Sequence, residues 1–117
     1  MSGYVSYRAG LAAEDQVARV YDLSGRRIAA RRWRGTAGEI DLIARDGAEV
    51  IFIEVKKSDS HARAAERLSP RQMARIYASA SEFLAGEPLG QLTEARFDVA
   101  LVDAQGRIEI LENAFAA

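Results

Sequence analysis

The stretch that decides the fold is GEIDLIARDGAEVIFIEVKK, residues 38–57. Two apolar segments flank the pair Asp46-Gly47, which is typical of a tight turn, so the stretch predicts a hairpin of two strands. Charged side chains interrupt the apolar pattern at four positions, namely Glu39, Asp41, Glu54 and Lys56. Because strands that only fill a core consist of residues such as Ile, Leu, Phe and Val, these four positions indicate a functional site.

Side chains alternate between the two faces of a strand, and this decides whether the charges meet. Glu54 and Lys56 should share one face of the second strand. A two-residue turn at Asp46-Gly47 brings residue 52 opposite Asp41, whereas a four-residue loop brings Glu54 opposite Asp41. Both registers keep the three charged groups on one face, and a three-residue loop would separate them. The opposite face of the first strand should carry Ile40, Leu42 and Ala44.

Two adjacent carboxylates repel each other unless a cation lies between them. Mg²⁺ prefers oxygen ligands and is usually held by one or two carboxylates together with waters and a substrate phosphate. Lys56 would place a positive charge beside such an ion, where it can activate water or stabilise the charge of a phosphoryl transition state. The pattern therefore suits metal-assisted hydrolysis of a phosphodiester. A buried ion-pair network around Glu54 and Lys56 explains the same residues equally well.

The whole chain has the composition of one ordinary globular domain. Its 117 residues are 49% hydrophobic and 28% charged, and this length predicts a single domain over residues 1–117. The sequence has no cysteine, which excludes disulfides and thiolate metal sites and fits a reducing compartment. No long apolar run begins the sequence, so we expect neither a signal peptide nor a membrane span, and a cytoplasmic location.

The net charge of −1 hides an asymmetry between two parts of the chain. Residues 1–75 hold 14 basic and 10 acidic side chains, whereas residues 76–117 hold 2 basic and 7 acidic ones. The basic runs flank the hairpin and are able to form an electrostatic footprint for nucleic acid, although charge runs alone favour ordinary surface charge. Solvated surface charge is the alternative. The predicted nucleic-acid-binding residues are Arg31, Arg32, Arg34, Lys57, Arg63, Arg67 and Arg71.

Periodicity predicts the other elements. A helix is expected over about residues 7–24, with Glu14 on the same stripe as Val17 and Tyr21 and with Gly25 as its stop. Strands are expected over 27–34, 38–45 and 49–57, followed by irregular polar sequence and a helix that Ser69 caps and Gly86 ends. Strands over 96–102 and 107–111 close the chain. The order α-β-β-β-α-β-β predicts an α/β or α+β domain with helices packed on a mixed sheet.

The pattern GEIDLIA…VIFIEVK resembles the restriction-endonuclease-like PD-(D/E)xK nuclease superfamily. More narrowly, it is similar to the bacterial YraN family of small predicted endonucleases, which are related to archaeal Holliday-junction resolvases. The flanking matches fall in the expected order along nearly the whole chain: Gly10, Glu14, Ala18, Tyr21 and Gly25 upstream, and Arg75-Ile76, RFDV and ENAF downstream. The resemblance implies a restriction-endonuclease-like αβββαβ core.

The same resemblance implies a Mg²⁺- or Mn²⁺-dependent DNA endonuclease that selects DNA structure, such as branches or junctions, rather than base sequence. Asp41 and Glu54 would be the metal-binding acids, Lys56 the catalytic lysine, and Glu14 a further catalytic and metal-binding acid. Glu39 would lie in a supporting position behind them. The chain departs from the family pattern mainly where DNA contacts are expected: Arg32 stands where relatives often have Asn, and Arg71-Gln72 where a Lys is common.

Several other features have simpler interpretations. His61, the single histidine, is expected on the surface rather than at a metal site. Trp33 could stack on a base but is expected to pack in the core, and the apolar stripe from Met73 to Leu84 is expected to be core or a dimer face. A homodimer formed through the C-terminal part around Phe115 is a further expectation. The alternative function is a nucleic-acid-binding module that retains the fold without cleaving its ligand.

Overall fold

The computed structural model describes the backbone of residues 3–114 and the side chains of residues 12–114. The elements follow one another as α1 (Gly3–Leu23), β1 (Arg27–Arg34), β2 (Glu39–Asp46), β3 (Glu49–Lys57), α2 (His61–Glu66), α3 (Pro70–Ala85), a short 3₁₀ helix (Gly90–Leu92), β4 (Ala95–Val102) and β5 (Ile108–Leu111). The predicted order is confirmed, with α2 added in the segment that was expected to be irregular. No helix in this part of the chain is long and apolar enough to cross a membrane.

The five strands form one mixed sheet in the order β1-β2-β3-β4-β5. Strands β3 and β4 pair in parallel, and the other neighbours pair antiparallel. Because parallel neighbours need a crossover connection, α2 and α3 lie between β3 and β4 in the sequence. The predicted α+β class with helices packed on a mixed sheet is confirmed, and the architecture is compatible with an αβββαβ core.

The sheet has an apolar layer on each side. On one side, Val17 and Tyr21 of α1 pack against Leu42, Ile53 and other buried residues of the central strands. On the other side lies α3, whose two halves contact different parts of the sheet. Its C-terminal half packs with β2 and β3 in a cluster of Ile40, Ile43, Val50, Phe52, Ala80 and Leu84. Its N-terminal half packs with α2 and β4 in a cluster of Ala64, Ile76, Val99 and Leu101.

The pairing of β2 with β3 places the turn one residue later than the sequence suggests. Asp46 pairs with Glu49, so the two loop residues are Gly47 and Ala48, and Gly47 takes the positive φ of 60° that such a turn requires. Arg45 therefore pairs with Val50, which is the register that brings Glu54 opposite Asp41. The alternative register, with residue 52 opposite Asp41, was wrong.

The strict alternation of side chains between the two faces of β2 also fails at Asp41. Ile40 was expected on the same face as Leu42, but it packs with Ile43 in the cluster against α3, whereas Leu42 packs against α1. The ladder between β2 and β3 stops at the pair Leu42 and Ile53. The backbone of β2 therefore changes course beside Asp41, at the place where the charged residues gather.

The ends of the helices confirm the signals read from the sequence. The N–H of Arg26 donates to the carbonyl of Tyr21 at 2.9 Å across Gly25, whose φ of 83° suits glycine. The hydroxyl of Ser69 accepts from the N–H of Gln72 at 3.1 Å and caps α3. Ser60 caps the unpredicted α2 in the same way, by accepting from the N–H of Arg63.

Candidate active site

A pocket of about 650 Å³ lies over the ends of β2 and β3. Glu14 reaches it from α1, Asp41 from β2, and Glu54 and Lys56 from β3, so the structure brings together the four residues that the sequence predicted as catalytic. The first turns of α3 form the opposite wall. The other lining residues are Ala13, Gly38, Glu39, Val55, Lys57, Arg67, Gln72, Arg75 and Ile76.

Asp41 and Glu54 are each hydrogen-bonded to the other's strand. The N–H of Val55 donates to Asp41 Oδ2 at 2.8 Å, and the N–H of Asp41 donates to Glu54 Oε1 at 3.3 Å. Beyond the last main-chain pair, these side-chain hydrogen bonds connect β2 with β3 in place of backbone hydrogen bonds. Because each carboxyl group is held by the backbone opposite, the two are fixed side by side at the floor of the pocket.

Gln72 is a pocket residue that the sequence interpretation missed. Its backbone N–H caps α3 as expected, but its side-chain Nε2 donates to Glu54 Oε2 at 3.3 Å. In the sequence, Gln72 belongs to the pair Arg71-Gln72, where relatives commonly have a Lys, and no local pattern predicts a contact with the pocket acids. Glu54, which is 5% exposed, is therefore hydrogen-bonded at both oxygens.

The environment opposes ionisation of all three pocket acids at once. Burial, followed by the charge of Asp41, raises the pKa of Glu54 to about 8. Burial, again followed by Asp41, raises the pKa of Glu14 to about 7, although Arg32 acts in the opposite direction. Burial also raises the pKa of Asp41, against the hydrogen bond from Val55 and the charge of Lys56. A divalent cation would offset this crowding of negative charge.

The donors in the pocket fit a hard divalent cation, because they are carboxylate oxygens on a half-buried floor. Among the described residues, no group of three or more Asp, Glu, His or Cys side chains stands ready to hold an ion. The pair Asp41 and Glu54 is the arrangement that Mg²⁺ commonly uses, with waters and phosphate completing its shell. Whether Glu14, on the wall of the pocket, becomes a third ligand stays a prediction.

Lys56 lies half-buried in the pocket, and its charge acts on both acids. It forms no ion pair with Asp41 or Glu54, whose carboxyl groups accept hydrogen bonds from the backbone and from Gln72. A paired Glu54–Lys56 network was the alternative explanation of the motif. The geometry does not supply that pair.

The basic residues predicted to contact nucleic acid fall into two groups. On β1, the three predicted arginines are bound to carboxylates: Arg31 to Asp15 at 2.6 Å, Arg32 to Glu39 at 3.3 Å, and Arg34 to Glu39 at 3.6 Å. Arg63 reaches Asp59 at 3.9 Å. By contrast, no carboxylate of the described residues pairs with Lys57, Arg67 or Arg71. Arg75, which the prediction left out, lines the pocket in the same unpaired state.

The loop between β1 and β2 is fastened to α3 at the rim of the pocket. Glu82 accepts hydrogen bonds from the N–H and the hydroxyl of Thr36, each at 2.8 Å, and the buried Ser79 donates to the carbonyl of Gly38 at 2.9 Å. A Cβ on Gly35 would lie 2.7 Å from Glu82 Oε2, so a side chain at this position would force Glu82 away from Thr36. No local sequence pattern indicates these contacts, since Ser79 and Glu82 lie within an ordinary helical segment.

The remaining sequence candidates have structural roles. Trp33 packs edge-on against Phe83 with ring centroids 5.5 Å apart, so the core interpretation is confirmed. His61 lies outside the pocket and contacts Glu109 and the carbonyl of Arg107. Of the predicted dimer surface, Asn113 and Ala114 are hydrogen-bonded to Asp98 and Phe97 of the same chain, and Phe115 lies outside the described residues.

Comparison with known proteins places the chain in a family. The model of the family described as "Uncharacterised protein family UPF0102" matches residues 13–102. A UPF0102 protein of Cereibacter sphaeroides is 78% identical over 117 residues, which is 100% of both chains. Another, of Ruegeria pomeroyi, is 61% identical over 113 residues, covering 97% of this chain and 92% of the relative. The chain belongs to UPF0102, the YraN-like family that its hairpin motif predicted.

Proposed function

We propose that this protein is a metal-dependent endodeoxyribonuclease of the PD-(D/E)xK type that hydrolyses phosphodiester bonds, with branched or junction DNA among its substrates. The observation that carries the proposal is the pair Asp41 and Glu54, fixed side by side by each other's strands in a pocket that also holds Lys56. Two acids followed by a lysine two residues later meet the requirements of metal-assisted phosphodiester hydrolysis.

Asp41 and Glu54 would hold Mg²⁺ or Mn²⁺, with Glu14 as the further acid on the wall of the pocket. The chemistry that such an ion supplies is polarisation of the phosphate and easier ionisation of an attacking water. Gln72 holds one oxygen of Glu54, and the backbone holds the other, so the carboxylate needs little reorganisation. Preorganised groups of this kind lower the barrier because they are already oriented for the transition state.

Lys56 contributes a positive charge that is not paired with any carboxylate of the described residues. Its ammonium group can therefore orient the attacking water or stabilise the extra negative charge that develops on the phosphate. Its place on β3, two residues after Glu54, keeps it on the pocket side of the strand. These are electrostatic contributions, so removing the amine should affect turnover more than folding.

A second function is a nucleic-acid-binding module without useful cleavage. The observation that favours it is the group of basic residues that line the pocket, Lys57, Arg67 and Arg75. A binding module would use the basic residues around the pocket and would not need a metal. Cleavage separates the two functions directly.

The test is an assay with Mg²⁺ or Mn²⁺ on linear duplex, single-stranded, flapped and four-way-junction DNA, with EDTA as the control. The proposed function predicts metal-dependent products from at least one of these forms and none from the Asp41→Asn protein. Asp46→Asn, at the other end of β2 and exposed, is the matched control and should cleave like the wild type. Binding without cleavage of any form would support the second function instead.

A further inference from the structure

The two groups of basic residues lie on opposite sides of the pocket acids. The sheet order places β1 next to β2 and places β4 next to β3, so Asp41 and Glu54 lie between these two sides. The paired Arg31 and Arg34 are on β1. Lys57, at the end of β3, pairs in the sheet with Val102 of β4.

The other unpaired cations near the pocket also lie on the β4 side. Arg27, which likewise has no carboxylate partner among the described residues, pairs with Arg45 at the end of β1 away from the pocket. Arg67 follows α2 and donates to the carbonyl of Lys57 at 2.8 Å. Arg71 and Arg75 occupy the N-terminal half of α3, whose buried Ile76 and partly buried Tyr77 pack with α2 and β4. The C-terminal half of α3 packs on the β1–β2 side and carries Glu82 instead. Among the described residues near the pocket, the unpaired positive charge is therefore concentrated on one side of the acids.

We propose that nucleic acid is held on that side alone. The strand that carries the scissile phosphate leaves the pocket over the end of β3 and the junction of α2 and α3, with its phosphates near Lys57, Arg67, Arg71 and Arg75. The phosphates on the other side of the scissile bond pass the β1 arginines without strong contacts. This inference rests on the proposed nuclease function and adds to it the direction in which the substrate is bound.

The physical reason is whether each cationic side chain is already paired with a carboxylate before the nucleic acid binds. An arginine that already holds a carboxylate must give up that partner to hold a phosphate, and the carboxylate left behind repels the ligand. An unpaired cation loses only water and gains a charge-assisted bond. On the nucleic acid, each phosphate that is neutralised releases condensed counterions, so true phosphate contacts register in the salt dependence of binding.

Two double variants with equal changes in charge test the inference. Arg71→Gln with Arg75→Gln removes two exposed, unpaired cations one helical turn apart, and Gln keeps the helix propensity. Arg31→Gln with Arg34→Gln removes two exposed cations that hold carboxylates. Binding of a fluorescein-labelled single-stranded 20-mer, or a probe of about that length, would be followed by anisotropy across a series of salt concentrations, with Ca²⁺ present to avoid cleavage.

For the α3 variant we expect the slope of log affinity against log salt to fall by about 1.4, since each phosphate contact on a single strand accounts for about 0.7. For the β1 variant we expect the wild-type slope. Equal falls in both variants would overturn the one-sided footprint and leave the nuclease proposal standing. No salt-dependent binding by the wild type would overturn the footprint, whereas the nuclease proposal is decided by the cleavage assay on the four DNA forms. A substrate with uncharged methylphosphonate linkages on one side of the cleaved bond provides a second test. Cleavage should be lost when these linkages replace the phosphates held near Lys57, Arg67, Arg71 and Arg75, and kept when they replace the phosphates on the other side. Equal loss from both substrates would overturn the inference.

Discussion

Asp41 and Glu54 are bound to each other's strands: Val55, next to Glu54, donates its N–H to Asp41, and Asp41 donates its own N–H to Glu54. The main-chain ladder between β2 and β3 ends one pair earlier. The two carboxyl groups thus accept hydrogen bonds from backbone N–H groups that carbonyl oxygens would accept in a continued ladder, and they also line the pocket. Their position is set by the fold, and their crowded charge is what a divalent cation would relieve.

Asp41→Asn should separate metal binding from folding. The amide oxygen can still accept from Val55, but the negative charge that would offset the cation is gone. We expect the melting temperature without metal to be unchanged or raised, and the increase that Mn²⁺ or Mg²⁺ causes in the wild type to disappear. Differential scanning fluorimetry with and without the ion measures both. A lower melting temperature in Asp41→Asn, with no metal effect on the wild type, would contradict the metal site.

Lys56→Ala should abolish cleavage without a large loss of stability. No described carboxylate forms an ion pair with Lys56, although its charge lowers the pKa of Asp41 and Glu54, so removing the amine should cost less than breaking a buried ion pair. If the lysine belonged to a buried ion pair, the loss would be about 3–5 kcal/mol. Denaturant unfolding beside a cleavage assay distinguishes these cases. A folded, stable variant with wild-type cleavage would remove Lys56 from the mechanism.

The stability of the metal-free protein should fall as the pH rises through neutrality. The pKa of Glu54 is raised by burial from 4.5 to about 8, so between these values the folded protein binds a proton that the unfolded chain has released. Stability is then fully present below the lower value and is lost towards the upper one. Glu54→Gln, which cannot ionise, should lose less stability than the wild type between about pH 5.5 and about pH 8.5. Identical pH profiles of the free energy of unfolding for the two proteins would refute the raised pKa.

Gln72→Ala should weaken cleavage while leaving α3 intact. The cap of the helix uses the backbone N–H of residue 72, which the substitution keeps, whereas the bond to Glu54 Oε2 is lost. A hydrogen bond to a charged group contributes about 1.5–3 kcal/mol, so a loss of about tenfold or more in cleavage is expected. Gln91→Ala, on the surface away from the pocket, is the control. Equal activity of the two variants would show that Gln72 does not position Glu54.

Gly35→Ala should destabilise the rim of the pocket. The new Cβ would meet Glu82 Oε2 at 2.7 Å and Ser79 Oγ at 3.1 Å, and moving Glu82 breaks its bonds to Thr36. Overpacking of this kind costs about 1–3 kcal/mol. Gly86→Ala is the matched control, because its φ of −87° suits any residue and its Cβ would have ordinary contacts. Equal free energies of unfolding for the two variants would contradict the tight loop contact.

The sequence was sufficient for the long elements because their signals are local. Gly25 and Ser69 mark helix ends through single backbone hydrogen bonds, and the apolar periods of β3 and α3 reflect burial directly. The six-residue α2 was missed because its sequence, HARAAE, carries one buried residue and therefore no apolar stripe. A short helix of this kind depends on tertiary contacts rather than on periodicity.

The candidate site could be predicted only in part, since some of its residues depend on long-range contacts. Asp41, Glu54 and Lys56 stand out because each breaks an apolar strand pattern. Gln72 and Arg75 belong to an ordinary helix start, and nothing local reveals that this turn faces β3. The pairing of the β1 arginines depends on where Asp15 and Glu39 lie in three dimensions. Charge runs in a sequence show how many cations there are, but not which are already partnered.

Cleavage of DNA by four proteins in parallel tests the central claim most directly: wild type, Asp41→Asn, Lys56→Ala and the control Asp46→Asn, each with Mg²⁺ and with EDTA. We expect the wild type and Asp46→Asn to cut the same DNA form in Mg²⁺ and not in EDTA, and the other two to be inactive although folded. Metal-dependent cleavage that survives both Asp41→Asn and Lys56→Ala would contradict the assignment of this pocket as the active site.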